Sequence, residues 1–206
     1  MGNFIFTPLK RVKSHLLANK KLYLVSALIV LMGIILGVYL VNGEFIDDVI
    51  YTTIDLDLSE IVLGEVGGFK LFFLNFKALV LPFIIIFILH TNKYTSFLSY
   101  FYLGYQGLLL GASISAVIGE TGIAGGLNTL LIILPINLMN LFVIISFLVV
   151  CYKRLTIARL QRLSFLYSTK LVFSQILGCL AGAVFASMVY GFIYPLLLKT
   201  AVVVIV

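Results

Sequence analysis

The chain has 206 residues and a formal charge of +6, with 62% of its residues hydrophobic and only 11% charged. A soluble domain carries about 25% charged and roughly 45–50% apolar residues, so the polar surface that would clothe a water-soluble globule is missing. The 14 Lys and Arg flank long apolar blocks, which turns the positive charge away from nucleic acid and toward lipid headgroups.

Residues 1–21 form a basic cytoplasmic segment. Thr7-Pro8 reads as a helix start, after which Leu9, Val12, Leu16 and Leu17 share a face opposite Lys10, Arg11 and Lys13. That pattern predicts an amphipathic helix on the membrane surface. The first apolar block, 22–42, is long enough as a helix at ~1.5 Å per residue to cross one hydrocarbon core, and it reads as an uncleaved signal anchor rather than a cleaved leader. Residues 43–70 make an acidic loop with Glu44, Asp47, Asp48, Asp55, Asp57, Glu60 and Glu65 and no base before Lys70.

Four more spans are predicted at 71–89, 95–119, 127–152 and 171–198, with a Gly-rich turn at Glu120–Gly126 and a basic loop at Lys153–Lys170. The tail Thr200–Val206 is apolar but too short to cross again. The reading is an all-α, single-domain polytopic membrane bundle of about five transmembrane helices. Eleven of the 14 cations fall on the side of the N-terminus, so the positive-inside rule predicts the N-terminus in and the C-terminus out, with all eight acids outside.

Small residues recur every four positions. Gly33 and Gly37 lie on the first span, Gly107 and Gly111 on the third, and Gly178 and Gly182 on the fifth. Close backbone approach holds helices together in lipid, so these ladders predict tight contacts, either within the bundle or in a homodimer. Polar residues at membrane depth carry a functional hypothesis by default. Asn75, Lys77 and Asn137 are the candidates, with Gln106, Asn128, Asn140 and Gln175 suited to interhelical hydrogen bonds. Lys77 can instead snorkel to the headgroups, and a transport pathway is the sharper alternative.

The chain reads as a non-enzyme. His15 and His90 are expected on the side opposite to every carboxylate, so no acid–base pair forms, and no metal, nucleophile or phosphate-binding pattern occurs. No cofactor is expected. Cys151 and Cys179 read as buried thiols.

The ordered motifs resemble the stage II sporulation protein M family, membrane proteins of endospore-forming Firmicutes. They are Leu31-Met32-Gly33 through Gly37-Val38 to Val41-Asn42, Phe72-Phe73-Leu74-Asn75-Phe76-Lys77, Gly107-x3-Gly111, Leu134-Pro135-x-Asn137-Leu138 and Tyr194-Pro195-Leu196-Leu197-Leu198-Lys199. Pro135-Ile136-Asn137 stands where the broader family often has Pro-His-Gly. The resemblance implies a scaffold of the cell membrane at the sporulation septum. Its expected partners are stage II sporulation proteins D and P, which remodel peptidoglycan during engulfment. The acidic loop (Asp47, Asp48, Asp55, Asp57) with Glu120 is the expected partner surface, unless it merely connects helices. A permease subunit of an ABC-type or other transporter is the alternative.

Overall fold

A computed structural model of the chain describes residues 16–42 and 67–197, with backbone alone for 42, 117 and 120–133. Most of the basic N-terminal segment, the acidic loop with Asp47, Asp48, Asp55 and Asp57, the side chain of Glu120 and the tail beyond 197 lie outside the described residues. Those described contain helices and no strand: α1 (Lys20–Asn42), α2 (Gly68–Leu89), α3 (Leu98–Leu160) and α4 (Phe165–Met188), which runs into a π-helix over Val189–Ile193. Four stretches are long and apolar enough to cross a membrane: Lys20–Val41, Gly68–Leu89, Leu134–Leu160 and Phe165–Leu197.

At 63 residues, α3 would reach about 94 Å if straight. It is not straight. Gln106 and Asn140 line one cavity, whereas a straight axis would hold them about 51 Å apart. The chain therefore doubles back between a first arm, 98–116, and a second arm, 134–160. The open turn expected at Glu120–Gly126 is corrected here, because the backbone there is helical. Glycine weakens a helix by about 1 kcal/mol against about 3 for proline, and no proline lies between Val117 and Leu134.

Helix ends also overrun the apolar blocks. The second arm continues through Lys153 and Arg154 to Leu160, so the basic loop expected over 153–170 shrinks to 161–164. Arg162 there takes φ 52°, and Leu163 N–H donates to Ala158 O (3.0 Å) while Arg162 N–H donates to Arg159 O (3.4 Å). This is a Schellman stop with arginine in the usual glycine place. Ser164 then caps α4, its hydroxyl accepting from Tyr167 N–H at 3.4 Å.

The packing fixes the direction of each segment. A Cβ on Gly107 would meet the Val30 backbone, one on Gly111 the Ile34 backbone, and one on Gly37 the Leu108 carbonyl and Ala112 N. Position numbers rise together, so α1 and the first arm are parallel. Asn75 pairs with Asn140, Phe83 stacks on Phe147 and His90 meets Arg154, which makes α2 parallel to the second arm. Asn75 meets Ser187 and Phe87 meets Phe165, so α4 is antiparallel to α2. Five segments thus alternate in direction.

Phe83 and Phe147 (centroids 4.2 Å apart, 7° between planes) anchor a core with Leu79, Ile86, Leu103, Leu148 and Ala183. Of the predicted packing glycines, Gly33, Gly37, Gly107 and Gly111 form one seam inside the bundle. Gly182 makes only ordinary contact with Val143 at 3.6 Å, and a Cβ on Gly178 would meet nothing within 4 Å. The ladder on α4 therefore packs at Gly182 and not at Gly178.

Candidate functional site

Two polar features interrupt the apolar interior. One is a cavity of about 390 Å³ at mid-height of α2, walled by Leu74, Asn75, Ala78 and Leu79. The first arm contributes Gln106, Leu110 and Ser113, the second arm Asn137, Asn140 and Ile144, and the π-helix Tyr190. A smaller space of about 80 Å³ continues it between Asn137, Tyr190 and Tyr194.

Asn75, only 7% exposed, ties three elements together. Its Oδ1 accepts from Asn140 Nδ2 at 2.8 Å, and its Nδ2 donates to Ser187 Oγ at 3.2 Å. Ser187 passes its own proton to Ala183 O at 2.8 Å. A buried amide needs such partners, since one left unmade costs about 1–3 kcal/mol. Gln106 donates to Tyr102 Oη at 3.0 Å. Asn137 makes no side-chain hydrogen bond among the described residues, although it lines both spaces. Lys77 is exposed on the opposite face of α2.

Backbone chemistry shapes this wall. Pro82 has no N–H to give the carbonyl of Ala78, and Ala78 borders the cavity. Pro195 similarly cannot serve the Gly191 carbonyl, and the π-helix lies just before it. The wider turn brings Tyr190 and Tyr194 into a stack (5.0 Å, 14°) beside Asn137.

The second feature is Arg154, 1% exposed. Its Nη2 donates to the carbonyl of His90, the C-cap of α2, where the helix dipole is negative. Its guanidinium lies over Phe87 at 5.0 Å and Phe165 at 4.3 Å, a cation–π arrangement. Nε and Nη1 of Arg154 and Nε2 of His90 have no hydrogen-bond partner among the described residues. His90 Nδ1 lies 2.9 Å from Ile86 O, which makes Nδ1 the protonated nitrogen of a neutral ring. Burial pushes the His90 pKa below its ordinary value; the Ile86 carbonyl opposes this and the Arg154 charge adds to it.

In sequence Arg154 reads as one of the loop cations, Ser187 and Tyr190 are not among the candidates, and Tyr194 figures only in the closing motif. A register signal existed for Arg154, which lies seven residues beyond Phe147 and so on the same face of one helix. Nothing in the sequence announced that α2 would end against it. Among the described residues, no group of three His, Cys, Asp or Glu could hold a metal ion. No family model, curated protein or solved structure matches the chain.

Proposed function

We propose that this chain is a multi-pass scaffold of the cell membrane that holds peptidoglycan-remodelling enzymes at the sporulation septum. In this reading it spans five times, with the N-terminus in the cytoplasm and the C-terminus outside. One observation carries the topology: five segments alternate in direction, and eight of the ten cations among the described residues gather at one end, Lys70 and Lys77 on α2 being the exceptions. Lys20 and Lys21 start α1, Lys93 follows α2, Lys153, Arg154, Arg159 and Arg162 end α3, and Lys170 begins α4. A positive end of this kind is cytoplasmic. The C-terminus of α1 and the N-terminus of α2 share the other end, so the connection between them, with seven acids, leaves the bundle away from the cations.

The first arm is the least apolar of the five segments, with Tyr100, Tyr102, Tyr105, Gln106 and Ser113. It is shielded on one face by α1 through the glycine seam. The order of motifs that resembles stage II sporulation protein M supports the septal role, with stage II sporulation proteins D and P as partners on the outer side. Replacing Asp47, Asp48, Asp55 and Asp57 together by Asn should cut co-purification of both enzymes several-fold while leaving membrane insertion intact. Undiminished recovery of both would overturn the docking role of the loop.

A further inference from the structure

We propose that the mid-height cavity binds a neutral lipid alcohol of the diacylglycerol kind, dissolved in the bilayer. This rests on the membrane reading above and is independent of the scaffold role. The volume of about 390 Å³ falls in the ordinary range for a ligand site, about 300–1,000 Å³. The wall offers two groups with no side-chain hydrogen bond among the described residues: the amide of Asn137 and the hydroxyl of Tyr190. No charged side chain lines it, so a phosphate or ammonium guest would be buried without a counter-charge. The cavity lies at Leu74–Leu79, within the apolar run of α2 (Gly68–Leu89). The flank is open, because Leu74 is 37% exposed and Ala78 is exposed. A guest entering there comes from among the acyl chains. It must be apolar in body, uncharged, and able to donate and accept at one end, which describes a hydroxyl on a glyceride.

The test uses the full chain in nanodiscs with a diacylglycerol carrying a diazirine, followed by mapping of the labelled peptides. The expected result is saturable labelling of 74–79 and 106–113, competed by dioctanoylglycerol and untouched by excess phosphatidylcholine. Asn137→Leu and Tyr190→Phe should each weaken it about tenfold with unchanged melting, since Asn137 has no side-chain bond to lose. Labelling that both variants retain in full, or that phosphatidylcholine competes equally well, overturns the proposal. If Asn137→Leu does not fold, Tyr190→Phe alone decides. Release of the chain by alkaline carbonate would instead sink the membrane reading, a separate outcome.

Discussion

Gly111 offers a direct measure of the seam between α1 and the first arm. A methyl group there would press on the Ile34 carbonyl and lie 2.8 Å from Ile34 Cα, where ordinary contact begins at 3.4–4 Å. Backbone cannot swing aside as a side chain can, so α1 must retreat by roughly 1 Å or more to clear that carbonyl. A gap of roughly 0.5–1 Å forfeits a quarter to a half of each dispersion contact around it, and overpacking of this kind costs about 1–3 kcal/mol. Replacing glycine by alanine also favours the helix by about 1 kcal/mol, which would mask part of the loss. Gly178 supplies the control, since its Cβ meets nothing. The difference between Gly111→Ala and Gly178→Ala removes the propensity contribution and should be about 1–3 kcal/mol, read from reversible unfolding in mixed micelles. Gly111→Leu should separate the two helices altogether. Equal stability of the two alanine variants would refute the seam.

The amide pair gives a second measure. A double-mutant cycle on Asn75→Leu and Asn140→Leu should show a coupling of about 0.6 kcal/mol and at most ~1.7; no coupling would separate the two side chains. Arg154→Met should cost less stability than Arg154→Lys, because lysine keeps a buried charge yet lacks the planar fork that reaches His90 O and stacks on Phe87 and Phe165. The reverse order in thermal unfolding would contradict the cap. His90 stays neutral in the fold below the pH at which the unfolded ring, of pKa ~6.5, takes up a proton. Its contribution is therefore complete above that pH and is lost as pH falls through it. His90→Gln should flatten this part of the stability profile between pH 7.5 and 5, and an unchanged slope would remove His90 as its cause.

Much of the helical plan is legible from hydropathy, because bilayer thickness imposes apolar runs of fixed length. What hydropathy marks, however, is the apolar stretch and not the helix. Lys153 to Leu160 carries three cations and lies beyond the apolar block that ends at Tyr152, yet its backbone continues helical until the left-handed Arg162 stops it. The glycine ladders were visible as spacing, but spacing does not name a partner. Gly33 and Gly37 abut the backbone at Gly104, Leu108 and Ala112, and Gly107 and Gly111 abut Val30 and Ile34, while a Cβ on Gly178, on an equally regular ladder, would meet nothing within 4 Å. Asn75 and Asn137 stood out as polar residues at depth. Their different fates, one paired three ways and one with no side-chain bond among the described residues, depend on Ser187 in the last turn of α4 and on Tyr190 in the π-helix that follows it. Such a change of register has no signature in a 3.6-residue period.

Sidedness tests the central claim most directly. In a background with Cys151 and Cys179 replaced by alanine, single cysteines at Asp47 and Lys93 are exposed to a membrane-impermeant maleimide on intact cells. The account predicts immediate labelling of Asp47→Cys and labelling of Lys93→Cys only after permeabilisation. Labelling of Lys93→Cys from outside, or protection of Asp47→Cys in a folded chain, would contradict it.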